Sequence, residues 1–201
     1  KLSVSDNRVT CAYTKTNEKI TFDNIICNAD PPVVYKNLLK VNQEQSMGLK
    51  KWFPSRLTNY SMGLYVFFFG TTIKYENVAH HTIWLTERFE ELLSDIFDRK
   101  KLTEDFSLYI HRPTATDTSF APPNCDSFYV LCPVPNLQAS IDWDIEGKRL
   151  RDRIVMALSK TVLPKLEDYI IAEHWMTPRE FRENYRCAYG CLLYTSPSPR
   201  D

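Results

Sequence analysis

Four histidines are the residues of this chain whose type and spacing most invite chemistry: His80 and His81 are adjacent, while His111 and His174 stand apart from them. Imidazole nitrogens bind zinc and similar divalent ions, so the adjacent pair suggests a metal centre. Residues 79–85 read as a β-strand, however, and neighbouring side chains of a strand point to opposite faces. One strand then cannot bring both rings to one ion. The expectation is that the histidines are structural, with no metal site.

A second cluster is acidic. Asp142, Asp144 and Glu146 lie close together, and Glu90 and Glu91 fall on a helical stretch. Paired carboxylates can do general acid–base work. Asp142 and Asp144, however, precede a helix whose N-terminus stabilises negative charge, so capping is the expected role. Hydrolase chemistry lacks its parts, since neither GxSxG nor a local Cys–His pairing occurs. The six cysteines make no CxxC pair and nothing at the N-terminus resembles a signal peptide, which leads us to expect reduced, cytosolic thiols that behave as small buried hydrophobes. Tyr65, Phe67, Phe68 and Phe69 form an aromatic run that suits either a hydrocarbon channel or ordinary core packing.

These side chains must be positioned by a globular scaffold. The composition, 43% hydrophobic and 25% charged, allows a buried core. Lys and Arg equal Asp and Glu at 25 each, so no basic excess exists to neutralise phosphates, and neither nucleic-acid binding nor a purely electrostatic membrane anchor is supported. Only five glycines occur, against about fourteen at average usage. None forms GxGxxG or GxxxxGK, the turns that let a backbone approach a pyrophosphate at a helix N-terminus.

The element pattern is mixed. Residues 8–14 and 19–27 read as two strands of an antiparallel ribbon joined by a turn at Lys15 to Glu18, and residues 33–40 as a short helix after two prolines. The run from Tyr60 to Gly70 is about half the ~20 residues that a membrane-spanning helix needs, and so predicts a buried strand. Strands are expected over 79–85, 106–110, 127–132 and 170–175. Helices are expected over 87–99, with Phe89, Leu92, Leu93, Ile96 and Phe97 on one face, and over 145–162, with Leu150, Ile154, Leu158 and Val162 in line. Thr177-Pro178-Arg179-Glu180 combines a capping box with proline at the first helical position. The fold class is α/β of the α+β type, a mixed and mostly antiparallel sheet covered by helices.

The stretch from His111 to Asn136, HRPTATDTSFAPPNCDSFYVLCPVPN, carries the most specific pattern. Pro113, Pro122 and Pro123 each fix φ and remove a donor, so residues 112–126 must be a shaped loop. Ser127 to Cys132 then reads as a strand buried on both faces that stops at Pro133. Tyr109, His111, Arg112, Pro113, Thr114, Thr116, Asp117, Ser119, Ala121, Pro122, Cys125, Tyr129, Val130, Leu131, Pro133, Val134, Pro135 and Asn136 together resemble the central signature of the bacterial and fungal phytoene desaturases, FAD-dependent carotenoid dehydrogenases. The likeness runs from about residue 21 to residue 190. Diapophytoene and other carotenoid desaturases are close alternatives, and another FAD-dependent relative of the amine oxidases is a more distant one.

The resemblance implies an enzyme that introduces double bonds into phytoene, passing a hydride from an allylic carbon to FAD and losing a proton from the neighbouring carbon. It implies a peripheral enzyme on the cytoplasmic side of a membrane, with a long apolar polyene as substrate. Residues 1–30 would be a β-ribbon at the edge of the flavin-binding domain, and Asn28-Ala29-Asp30-Pro31 would mark where the chain leaves it, making Asn28 and Asp30 the candidate cofactor contacts. Residues 31–176 would be the substrate-binding domain, with Tyr65, Phe67, Phe69 and His111 as candidate substrate contacts. Residues 177–190 would begin the return to the flavin domain. The Ser-Pro repeat of residues 191–201 departs from the family pattern and is expected to be non-native. The resemblance also implies that the paired histidine belongs to the family pattern with a structural role, which agrees with the expectation of no metal site. With its glycine motifs missing, the chain alone is not expected to hold FAD stably. A non-catalytic binding module for carotenoids or lipids would use the same strands and aromatics.

Overall fold

A computed structural model of the chain describes residues 1–6, 8–39, 59–191 and 194–195. At the N-terminus, β1 (Leu2–Ser5), β2 (Arg8–Tyr13) and β3 (Lys19–Thr21) form an antiparallel sheet in that order. The sequence predicts two strands here, the second reaching Cys27; there are three, and the last stops at Thr21. Register rules out the predicted reach: Thr21 lies opposite Cys11 and β2 begins at Arg8, so the partner ends opposite residue 24 and the strand could not pair as far as Cys27. Beyond it Ile25 and Ile26 are exposed.

Helix α1 (Pro31–Val33) starts on the first proline, where a fixed φ is preorganised and the missing N–H costs nothing, and continues as a π-helical turn over Val34–Leu38. Lys40, the predicted end of this helix, lies outside the described residues. Strand β4 (Asn59–Tyr60) leads into β5 (Gly63–Thr71), the predicted buried strand, followed by β6 (His81–Trp84), helix α2 (Phe89–Phe97) and β7 (Leu108–His111). After a loop containing two 3-10 turns, Pro113–Ala115 and Thr118–Phe120, come β8 (Asp126–Val134), α3 (Trp143–Lys160), α4 (Leu166–Tyr169), β9 (Ile170–Met176), α5 (Pro178–Tyr185) and β10 (Tyr194–Thr195).

Five strands make the main sheet in the order β6-β7-β8-β5-β9, every pairing antiparallel. Strand β8 does not stop at Pro133 as the sequence suggests: Pro133 lies within it, opposite Leu64. Strand β7 reaches only as far as Leu131, opposite Tyr109, so past that point β8 is an edge, where a missing N–H is tolerated. Burial along β8 alternates strictly, so one face is packed and the other only half-buried. The packed face meets α3 through Leu150, Ile154 and Leu158, all fully buried with Tyr65, Phe67, Ile110 and Val130. Of the stripe predicted on α2, Leu92 and Ile96 are buried, whereas Phe89 and Phe97 near its ends stay exposed.

Two local features fix the C-terminal side. Thr177 caps α5 by accepting the N–H of Arg179, while Glu180 reaches back to the N–H of Thr177 at 2.8 Å, the predicted capping box. Gly190 has φ +62°, and a Cβ there would collide with the backbone of Pro178, so only glycine fits this turn. Cys191 bridges to Gly63, and β10 pairs with β4. Residues 196–201 of the predicted non-native tail lie outside the described residues.

Candidate functional site

Helices cover one face of the five-stranded sheet; the other carries the aromatic residues that packing does not consume. One rung crosses all five strands. His81 lies opposite His111, His111 opposite Tyr129, Tyr129 opposite Phe68 and Phe68 opposite His174. Successive ring centroids along this rung are 5.2, 4.4, 6.1 and 6.4 Å apart, within aromatic contact range. Tyr109 joins it at 5.9 Å from His81 and 6.0 Å from Tyr129. At a strand spacing of ~4.8 Å, five strands make a platform about 19 Å wide. Phe68 and His174 are exposed, and Tyr109, His111 and Tyr129 are half-buried. At the β9 end, Phe68, Phe120, Pro122, Cys125 and His174 line an open cleft of about 510 Å³.

The loop beside the platform is held by a buried carboxylate. Asp126 accepts the N–H of Tyr75 at 2.7 Å and the hydroxyl of Thr114 at 2.6 Å, and pairs with Arg112 at 3.3 Å. Arg112 also donates to the carbonyl of Tyr75. All four residues are buried, so the signature Arg112-Pro113-Thr114 serves to fix the loop to β8.

Where β6 and β7 begin and end, three histidines meet. His80 Nε2 and His111 Nε2 are 2.7 Å apart, His80 Nδ1 meets the hydroxyl of Thr116, and His81 Nδ1 lies 2.7 Å from the Tyr109 hydroxyl. The alternation argument that separated His80 from His81 does not hold here, because His80 occupies the bend before the strand. Burial, followed by the nearby His80 and His81, holds His111 below the usual histidine range. Burial also pushes the Tyr129 phenol up, helped by Tyr109.

The remaining candidates fall elsewhere. Tyr65, Phe67 and Phe69 sit on the helix-covered face, and the Tyr65 hydroxyl donates to the Gly147 carbonyl at 3.0 Å. They occupy the core-packing role that the residues alone left open. Asp142 caps α3 through the N–H of Asp144, and Asp144 grips Arg179 with contacts of 2.8 and 2.6 Å that hold its carboxyl below the usual range. Asn28 is exposed; Asp30 accepts the N–H of Ala188 at 2.6 Å and keeps one oxygen buried without a partner. One carboxylate oxygen is not a dinucleotide site. The four glycines among the described residues lie in a strand, in a helix or against Pro178, and none forms a pyrophosphate turn, so the residues described do not fit a complete flavin site. Phe68, Tyr129, Tyr109, His81 and His174 are not among the substrate contacts that the sequence predicts. No local signal marks them: residues 128–132 are apolar at every position, and the alternation that turns Tyr129 away from the core residues Phe128 and Val130 exists only in the folded strand.

An antiparallel sheet with one helix-packed face and one aromatic face is an architecture suited to an apolar ligand. No family model matches the chain. It is 37% identical over 201 residues to the lycopene-forming phytoene desaturase of Pseudescherichia vulneris, covering 98% of this chain and 40% of that protein. It is 38% identical over 183 residues to the neurosporene-forming phytoene desaturase of Rhodobacter capsulatus, covering 86% and 33%. It is 31% identical over 177 residues to a 4,4'-diapophytoene desaturase of a Methylomonas species, covering 87% and 34%. The chain belongs to the carotenoid desaturase family, and spans about two fifths of the length of the curated relatives it matches along nearly its whole extent. No helix among the described residues is long and apolar enough to cross a membrane.

Proposed function

We infer that this chain is the substrate-binding portion of a phytoene desaturase, and that the aromatic face of its sheet is the wall against which a long polyene lies. The observation that carries this reading is the single rung of His81, His111, Tyr129, Phe68 and His174 across all five strands. A carotenoid precursor has no hydrogen-bonding handle, so it must be held by apolar burial, worth ~25 cal/mol per Å², and by dispersion against polarizable rings. A flat aromatic face supplies both. Its substrate partitions into lipid, so the complete protein would work as a peripheral enzyme at a membrane surface.

The oxidation itself belongs to FAD, on which the family depends. The residues of this chain would orient the hydrocarbon and exclude water from it. The test is to incubate the complete, flavin-loaded protein with phytoene in liposomes and follow the visible absorption of the conjugated product. Conversion that falls in Phe68→Ala and Tyr129→Ala supports the reading. Phytoene binding without any product would make the protein a carrier, and conversion of a 4,4'-diapophytoene substrate in preference to phytoene would move it to the diapophytoene enzymes.

A further inference from the structure

We propose that His80, His81 and His111 form a binding site for one divalent transition-metal ion of the zinc class. One ring nitrogen from each histidine lies within 4.8 Å of the other two, on a half-exposed corner where β6 and β7 meet. A site of three imidazoles with its fourth position open to water is a common zinc donor set. Magnesium and calcium prefer oxygen ligands and do not suit it.

Two of the three rings are already arranged for this role. If His80 Nδ1–H donates to Thr116 and His81 Nδ1–H donates to Tyr109, the Nε2 atom of each is left to bind the ion. Such hydrogen bonds on the far nitrogen are what fix tautomer and ring direction in metal-binding histidines. Without metal, the 2.7 Å contact between His80 Nε2 and His111 Nε2 needs one proton shared between them. When Nε2 binds metal that proton moves to His111 Nδ1, which is buried with no partner, so metal binding must offset one unpaired buried donor. Tetrahedral ligands ~2.0–2.1 Å from zinc lie about 3.3 Å apart, so the two Nε2 atoms would separate by roughly half an ångström. His111 is held in register by β7, whereas His80 lies in a bend and can supply this movement.

The experiment is to titrate the full chain with Zn²⁺, and separately with Co²⁺ to read the ligand type from its visible spectrum. Expected are uptake of one ion per chain, Co²⁺ d–d bands without thiolate charge transfer, and a higher Tm with metal. His80→Gln and His81→Gln should each weaken binding about tenfold or more while keeping the far-ultraviolet circular dichroism of the parent, and His174→Gln should bind like the parent. His81 is exposed on an edge strand, so its variant tests the site even if a change at His111 disturbs the fold. Absence of saturable uptake, thiolate charge transfer in the cobalt spectrum, or binding unchanged in both His80→Gln and His81→Gln would overturn the proposal.

Discussion

Phe67 and Phe68 are neighbours in β5 and face opposite sides of the main sheet: Phe67 has no exposed surface, whereas Phe68 is 38% exposed beside Tyr129 and His174. The same residue type thus has two jobs one position apart. Phe67→Ala should leave a cavity under α3 and cost ~3–5 kcal/mol, read from urea unfolding. Phe68→Ala should change stability by only about 0.5 kcal/mol while weakening polyene binding in the complete protein. A large stability loss at Phe68 with none at Phe67 would reverse the assignment of the two faces.

Arg112 and Asp126 are both buried, and Asp126 also holds Tyr75 and Thr114. Removing one member leaves the other charge buried without its partner, so Arg112→Ala should destabilise the chain by ~3–5 kcal/mol. Arg112→Ala combined with Asp126→Ala should cost less than the two single changes added together. A double-mutant cycle in urea checks this, and strict additivity would mean the pair is not coupled.

Much of the scaffold was legible before the structure because local rules govern it. The capping box at Thr177, the stripe of Leu150, Ile154 and Leu158, and the apolar strand within the run from Tyr60 to Gly70 each follow from nearby residues. What lay beyond reading was which side of the sheet the helices take. Leu64 to Phe69 is apolar at every position, so its pattern cannot say whether Phe67 or Phe68 faces the core. The aromatic rung depends on register between strands far apart in sequence, and the histidine cluster depends on a bend that moves His80 out of the strand. Neither has a local signal.

Asp95 gives a pH-dependent contribution. It accepts from Arg99 at 2.7 Å and from Arg88 at 3.4 Å, contacts that hold its carboxyl below the usual range. A carboxyl depressed in the folded state adds stability that is complete above its unfolded pKa of ~3.9 and is lost as pH falls through the lower folded value. Asp95→Asn should therefore lower Tm at neutral pH by an amount that stays constant down to about pH 4 and shrinks below it. A gap that widened on acidification would contradict the ion pairs. Thermal melts of both proteins from neutral to strongly acidic buffer decide the point.

The six cysteines are free, but their surroundings differ enough to order their reactivity. Burial pushes the Cys132 thiol up to about 12, and burial aided by the charge of Asp30 raises Cys191 to about 11. Cys27 is exposed in the segment after β3. The thiolate is the attacking species, so pH 8 leaves Cys132 almost wholly protonated as well as shielded. Brief alkylation of the folded chain, followed by peptide mass spectrometry, should label Cys27 first and leave Cys132 unlabelled until denaturant is added. Because Cys132 lies on the helix-packed face of β8, its labelling rate also reports how often α3 lifts from the sheet. Equal rates at Cys27 and Cys132 in native buffer would show that this face is not closed, and would return Tyr65, Phe67 and Phe69 to consideration as substrate contacts.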